Sequence, residues 1–145
     1  MATRDGSAEW QGDLRSGSGE LTVGEGAWRG DYSFASRFEE GAGTNPEELL
    51  AAAHAACFSM ALAGILTEHG HEPRSVRTRA RVHLRNVDGQ PTIQQIDLET
   101  EGDVAEIDED HFREHAEEAK AGCPVSRALA GVEEVELTAR LSSGQ

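Results

Sequence analysis

Hydrophobic residues are concentrated in one stretch of this chain, residues 45–70, and alternate with polar residues in much of the remainder. No formally charged residue occurs between Leu49 and Leu66, and alanine is the commonest residue there. Asn45 can cap the first turn of a helix, Pro46 suits the first helical position, and Gly70 can end the helix. The stretch therefore predicts one long helix, and its apolar character on every side predicts that it is buried all round.

The length of this uncharged run raises the possibility of a membrane-spanning helix, because it reaches the lower limit for crossing a bilayer. However, the run contains His54 and Ser59, acidic residues stand at its start, and no cluster of Lys or Arg flanks either end. Such clusters usually set the orientation of a spanning helix. We therefore interpret the run as the central helix of a soluble core.

Alternating patterns predict strands on both sides of the central helix. Residues 9–15 and 19–23 suggest a hairpin, followed by a loop at 24–30 and a short strand at 32–34. After the helix, residues 76–87 predict a long half-buried strand that returns as 92–100 through a turn at Asp88 and Gly89. The arginines of the first of these strands are either solvated or paired with acidic groups such as Glu99 and Glu101.

The C-terminal part predicts a helix at 108–121, a short second helix and a last strand at 132–141. Pro124 suits the first position of the short helix, which makes Cys123 its N-cap residue. The longer helix has a thin inner stripe formed by Phe112, His115, Ala116 and Ala119. The order of elements indicates an α+β fold with antiparallel sheets and a long buried central helix, and the length of 145 residues indicates a single domain, 1–145.

The chain is strongly acidic, with 27 Asp and Glu against 13 Lys and Arg and a net charge of −14. This balance argues against nucleic acid and anionic membranes as partners. The N-terminal residues contain no apolar segment typical of a signal peptide, so we expect a cytoplasmic protein. Two cysteines in such a protein are either inert core thiols or a working redox pair.

The two cysteines have different predicted surroundings. Helix N-termini stabilise anions, which favours a thiolate at Cys123. Cys57 lies in the middle of the apolar helix, where burial raises the pKa of a thiol, so Cys57 would need a nearby cation to act as a nucleophile. His54 and Cys57 share a helical face, but two ligands are too few for a metal site.

Three segments resemble the OsmC/Ohr family of thiol peroxidases: EWQGDL at 9–14, RFEEGAGTNPEELLAAAHAACFSMAL at 37–62, and AKAGCPVSRAL at 119–129. The motifs HAACFSMAL and GCPVS are more similar to the OsmC branch than to the organic hydroperoxide resistance branch. The resemblance covers nearly the whole chain. It implies an OsmC-like fold and an intertwined homodimer with two active sites at the interface.

The resemblance also implies roles for four residues. Cys57 matches the peroxidatic cysteine, and Cys123 matches the resolving cysteine. Arg37 matches the arginine that holds the thiolate, and Glu47 matches the glutamate that orients this arginine. Glu47 and Cys57 are ten residues apart, which is roughly 15 Å along a helix axis, so we expect the partner subunit to supply Glu47 to each site.

The implied activity is reduction of organic hydroperoxides through a Cys57 sulfenic acid and a Cys57–Cys123 disulfide. The resemblance implies that a dithiol reductant of lipoyl type restores the thiols, and no metal or flavin is required. Apolar side chains such as Phe58 and Met60 favour organic peroxides over hydrogen peroxide. The alternative is a stress-induced dimeric binding protein whose thiols are incidental.

Overall fold

The computed structural model describes residues 2–142, and the chain forms two compact units, one up to Leu49 and the other from Leu50 onward. The elements in order are β1 (Gly6–Gln11), β2 (Ser18–Val23), β3 (Trp28–Tyr32), α1 (Phe34–Phe38), α2 (Pro46–Glu68), β4 (Ser75–Val87), β5 (Gln90–Asp103), α3 (Glu109–Gly122), α4 (Pro124–Ala128) and β6 (Glu134–Leu141). The predicted α+β class is therefore confirmed.

The first unit is built on an antiparallel sheet with the strand order β1-β2-β3. The rings of Trp10 and Tyr32 pack against each other with their centroids 5.5 Å apart. Gly19 lies beside both rings, and a Cβ at this position would come within 2.5 Å of the Tyr32 ring. Glycine at this position therefore makes the aromatic packing possible.

The hairpin predicted in this unit is present, but the bounds predicted for its first strand, residues 9–15, are wrong. β1 begins at Gly6 and already ends at Gln11, because Gly12 takes a positive φ of 91°. Asp13 then turns the chain, since its Oδ1 accepts hydrogen bonds of 2.9 Å from the amides of Arg15 and Ser16.

The strand predicted at 32–34 is also wrong, because β3 occupies Trp28–Tyr32 and helix α1 follows it directly. Ser33 caps this helix. Its hydroxyl accepts from the Ser36 amide at 3.1 Å, and the Ser36 hydroxyl accepts from the Ser33 amide at 2.8 Å. This reciprocal capping box outweighs the strand preference of the neighbouring aromatic residues.

Helix α2 confirms the long helix predicted at 45–70. Asn45 Oδ1 accepts from the Glu48 amide at 2.8 Å, and Gly70 has a φ of 83° just past the helix end. Among the described residues it is the one helix long and apolar enough to cross a membrane, a test that core helices also pass. Every fourth residue along one side of the helix is buried: His54, Phe58, Leu62 and Leu66.

The prediction that α2 is buried on every side is wrong for the single chain. The side opposite the buried residues is exposed, and Met60 on it is 79% exposed. We call this surface the alanine face; it comprises Ala52, Ala53, Ala56, Met60 and Gly64. Because none of these residues is charged or polar, the alanine face is an apolar surface that a single chain leaves uncovered.

The second unit contains a sheet in the order β4-β5-β6. The predicted β4–β5 hairpin is confirmed, with Asp88 and Gly89 at φ 52° and 82° in its turn. β6 pairs parallel with β5, so purely antiparallel pairing is wrong for this one pair. Helices α3 and α4 connect the two strands and provide the long crossover connection that parallel pairing requires.

Charged residues cover the outer side of this sheet, as the sequence predicts. Arg81 forms an ion pair of 2.8 Å with Glu99 on the neighbouring strand. Glu101 pairs with Arg140 of β6 rather than with an arginine of β4. The inner side of the sheet faces α2 and α3 and encloses a core that includes Phe58, Leu62, Leu66, Ile96, Leu98, Val104, Phe112, Ala116, Ala119, Cys123 and Ala139.

Candidate redox site

Two free thiols meet in the second unit. Cys57 lies in the middle of α2 and is half-buried, while Cys123 lies between α3 and α4 and is only 1% exposed. Burial raises the pKa of the Cys57 thiol, as the sequence predicts. A hydrogen bond from the Val125 backbone lowers this pKa, and the neighbouring Cys123 sulfur, which forms a hydrogen bond with the Cys57 thiol, raises it further.

Cys123 is the N-cap residue of α4, as its position before Pro124 predicts. The Ser126 amide donates a hydrogen bond to Cys123 Sγ at 3.3 Å, and the Cys123 thiol donates to Ser126 Oγ at 3.1 Å. The sulfur therefore has a fixed position, held by one backbone group and one hydroxyl group.

His54 extends this hydrogen-bonded group into the core. Its Nε2 lies 2.7 Å from Ser126 Oγ, and its side chain is fully buried. Burial lowers the pKa of His54, which favours the neutral imidazole. Within residues 2–142, His54 Nδ1 is buried and has no hydrogen-bond partner. An unsatisfied buried group of this kind costs about 1–3 kcal/mol of stability.

Arg37 and Glu47 form an ion pair in the first unit. Arg37 Nη2 donates to Glu47 Oε1 at 2.8 Å, and Arg37 Nε lies 3.3 Å from both carboxylate oxygens. The Glu47 side chain is 10% exposed and that of Arg37 is 39% exposed. The guanidinium group also lies 5.3 Å from the centre of the Phe38 ring.

Short polar contacts fix this ion pair at the start of α2. Ser36 Oγ donates to the Thr44 carbonyl at 2.7 Å, and Asn45 Nδ2 donates to the Ser36 carbonyl at 2.9 Å. These bonds tie α1, which carries Arg37, to the first turn of α2, which carries Glu47. The capping residues that start the two helices therefore also position the ion pair.

The four predicted site residues thus occur as two pairs, Cys57 with Cys123 and Arg37 with Glu47. Ser126 is a further residue of this site that the family motifs do not single out, although the sequence carries a signal for it. When a cysteine is the N-cap residue and proline follows it, the amide three residues later faces the sulfur. Among the apolar residues expected around Cys57, Phe58 is fully buried in the core, whereas Met60 is on the alanine face.

A thiol pair on this α+β framework defines a class of redox proteins, and comparison with known sequences gives the particular family. A sequence profile described as "OsmC-like protein" matches residues 39–138. The chain is 46% identical over 127 residues to Peroxiredoxin OsmC of Escherichia coli (strain K12), covering 87% of this chain and 89% of that protein. The same values hold for Peroxiredoxin OsmC of Shigella flexneri. The chain belongs to the OsmC family, and its similarity to these two proteins supports the OsmC branch.

Solved structures show the same fold. The organic hydroperoxide resistance protein OhrB of Bacillus subtilis aligns with a TM-score of 0.68 and 26% identity, over 95% of this chain and 98% of that one. An organic hydroperoxide resistance protein OsmC from Legionella pneumophila aligns with a TM-score of 0.69 and 24% identity, over 98% and 99% of the two chains.

Proposed function

We propose that this protein is a cysteine-based peroxidase that reduces organic hydroperoxides to alcohols in defence against oxidative stress. The single observation that carries the proposal is the contact between two free thiols, Cys57 and Cys123, one of them accessible and the other enclosed. The names of the related proteins support a peroxiredoxin type of activity. We infer the specificity for organic hydroperoxides and the catalytic steps from the positions of the two thiols.

Cys57 is the proposed nucleophile because it is the more exposed of the two thiols. Its thiolate attacks the peroxide O–O bond and becomes a sulfenic acid, and the alkoxide leaves as an alcohol after gaining a proton. The Cys123 sulfur then attacks the Cys57 sulfur and displaces water, which forms the Cys57–Cys123 disulfide. Cys123 is oxidised in this step and the Cys57 sulfenic acid is reduced.

The Cys57 thiolate requires a cation, because burial in the single chain raises the pKa of Cys57. We assign this role to Arg37, whose orientation the Glu47 carboxylate fixes. An arginine fork can bind both the thiolate and the departing alkoxide. Glu47 and Cys57 are roughly 15 Å apart along one helix, so we propose that the partner subunit's Arg37 and Glu47 complete each site.

We propose a homodimer, supported by the uncovered alanine face of α2. Small side chains allow two helices to approach closely, and the large apolar Met60 side chain is exposed in the single chain. Within such a dimer, we regard residues 1–145 as one OsmC-like domain. We expect it to act in the cytoplasm with a dithiol reductant of lipoyl type, and without nucleic acid or a membrane as a partner.

The test is stopped-flow oxidation of the fully reduced protein by cumene hydroperoxide and by hydrogen peroxide, with intact mass recorded at the end. We expect faster reaction with the organic peroxide and a mass loss corresponding to two hydrogen atoms per chain. Cys57→Ser should abolish turnover, and Cys123→Ser should allow one rapid oxidation followed by over-oxidation of Cys57. Slow reaction with both peroxides and retention of both thiols would instead indicate a binding protein with incidental cysteines.

A further inference from the structure

The hydrogen-bonded chain from Cys123 through Ser126 to His54 is unusual because it connects a reactive thiol with a buried titratable group. The Cys123 thiol donates to Ser126 Oγ at 3.1 Å, and Ser126 Oγ lies 2.7 Å from His54 Nε2. A hydroxyl group has one hydrogen to donate. When the proton of neutral His54 is on Nδ1, the Ser126 hydroxyl accepts from Cys123 and donates its own hydrogen to His54 Nε2.

In this tautomer the hydrogen of neutral His54 is on Nδ1, which is buried and has no partner in the part of the chain that the structure describes. If position 54 served only for packing, an apolar side chain could fill the same space and would leave no buried polar atom without a hydrogen bond. The buried imidazole therefore points to a role for the nitrogen that faces Ser126.

Disulfide formation has a step that needs such a nitrogen. When Cys123 attacks the Cys57 sulfenic acid, it must lose its thiol proton. Cys123 is enclosed in the core, so bulk water has little access to that proton. Ser126 Oγ and His54 Nε2 form a short path by which the proton can pass from the Cys123 sulfur to a base.

We propose that His54 is a positioning and proton-accepting residue for Cys123, acting through the Ser126 hydroxyl during formation of the Cys57–Cys123 disulfide. The Cys123 thiol proton moves to Ser126 Oγ while the Ser126 hydroxyl proton moves to His54 Nε2. The Cys123 sulfur forms the bond to the Cys57 sulfur, and the Cys57 S–O bond breaks. The leaving hydroxide takes up one proton from the solvent to become water, and His54 afterwards releases the Cys123 proton to the solvent, so the products are the disulfide and one water.

The Ser126 amide completes the arrangement. It donates to the Cys123 sulfur at 3.3 Å and thus stabilises the negative charge that develops as the proton leaves. His54 precedes Cys57 by three residues on the same helix, so α2 carries both the proposed nucleophile and the residue that serves its resolving partner. This inference rests on the proposed function, because it assigns residues to the disulfide-forming step.

The experiment separates the two oxidation steps in the full-length reduced protein. Stopped flow with one equivalent of cumene hydroperoxide measures oxidation of Cys57, and rapid acid quench with intact mass analysis measures disulfide formation. The matched variants are Ser126→Ala, which removes the hydroxyl, and Ser126→Thr, which retains it. His54→Gln is the third variant, because glutamine can accept the Ser126 hydrogen bond but cannot take up a proton.

We expect Ser126→Ala and His54→Gln to oxidise Cys57 at the wild-type rate but to form the disulfide about 10²-fold more slowly, the usual contribution of a positioned acid or base. Excess peroxide should then convert Cys57 of these variants to the sulfinic acid. Ser126→Thr should form the disulfide at close to the wild-type rate. If the His54→Gln variant does not fold, the comparison of disulfide-forming rates between Ser126→Ala and Ser126→Thr still tests the proposed proton path.

Equal disulfide rates in Ser126→Ala and the wild type would overturn the inference and leave the proposed function intact. An equal slowing of both steps in the variants would indicate a structural role and would also overturn it. Failure of the wild-type protein to form any disulfide would remove the proposed function and this inference together.

Discussion

The Arg37 guanidinium and the Glu47 carboxylate face each other through two nitrogens, with the shortest contact, Nη2 to Oε1, at 2.8 Å. Glu47 is nearly buried, whereas more than a third of the Arg37 side chain remains exposed. The carboxylate therefore anchors one edge of the guanidinium group. The other edge is available to bind an anion.

Substitution of the anchor should slow peroxide reduction without destroying the fold. We expect Glu47→Gln to reduce the second-order rate of Cys57 oxidation by about tenfold to 10²-fold. Arg37→Ala should reduce it by about 10²- to 10³-fold, as for loss of one donor to a developing anion. The control is Glu48→Gln, which changes an exposed carboxylate in the same helical turn. Stopped-flow rates equal to the wild type in Arg37→Ala would exclude Arg37 from the site.

A charge on the alanine face should separate the subunits. Met60→Glu places a carboxylate where the dimer proposal requires an apolar contact, and burying an unpaired charge is strongly unfavourable. We expect sedimentation velocity to show a monomer and peroxidase turnover to be lost. Leu14→Glu is the matched control, because Leu14 is also an exposed apolar residue, in a turn of the first unit. A Met60→Glu dimer with full activity would contradict the proposal.

The reactivity of Cys57 with iodoacetamide should depend on assembly. In the single chain, burial raises the pKa of Cys57 above its usual 9.0, so the neutral thiol predominates at neutral pH. If the partner subunit supplies Arg37, the thiolate forms at lower pH in the dimer. Alkylation of Cys57 in Met60→Glu should therefore require a higher pH than in the wild type, measured in a Cys123→Ser background. Identical pH profiles would mean that assembly does not activate Cys57.

The stability of the protein should fall in mild acid because of His54. Burial lowers the pKa of His54 below its usual 6.5, so the unfolded chain binds the proton more readily than the folded chain. Neutral His54 makes its full contribution to the free energy of unfolding above pH 6.5. This contribution is lost as the pH falls through the lowered pKa. The urea midpoint of the wild type should drop between pH 7.5 and pH 5 by more than that of His54→Gln, both pH values being about one to two units from the usual histidine pKa.

His111 provides a control of opposite sign for this measurement. Asp108 accepts a hydrogen bond from the His111 ring and raises the pKa of His111. The contribution of the His111–Asp108 interaction to the free energy of unfolding is complete below the usual histidine pKa of 6.5. It is lost as the pH rises through the raised pKa of His111. His111→Gln should therefore steepen the loss of stability in acid. If both histidine variants changed the acid response in the same direction, the assignment of these contributions would be wrong.

The sequence predicted the elements whose signals are local. Asn45, Pro46 and Gly70 marked both ends of α2, and Pro124 marked Cys123 as a cap. Helix α1 was not predicted, because the Ser33 and Ser36 capping box begins only five residues of helix next to aromatic residues that favour strands. The direction of β6 depends on a connection through two helices, which a pattern of alternating residues does not encode.

The candidate site was predictable only in part, for a similar reason. Family motifs identified Cys57, Cys123, Arg37 and Glu47, and helical periodicity placed His54 on the same side of α2 as Cys57. The contact between His54 and Ser126 joins residues that are 72 positions apart in the sequence. It depends on how α4 packs against α2, and no short motif carries that information.

The sulfur of Cys123 caps the first turn of α4 by accepting the Ser126 amide. If the proposed disulfide forms, the same sulfur becomes bonded to Cys57 and is a poorer hydrogen-bond acceptor. Catalysis would then loosen a helix of only five residues once in every turnover, and reduction would restore it. The protection of the Ser126 amide from hydrogen exchange would therefore record the oxidation state of the protein, and a reductant could distinguish the oxidised form by the shape of this segment as well as by its disulfide.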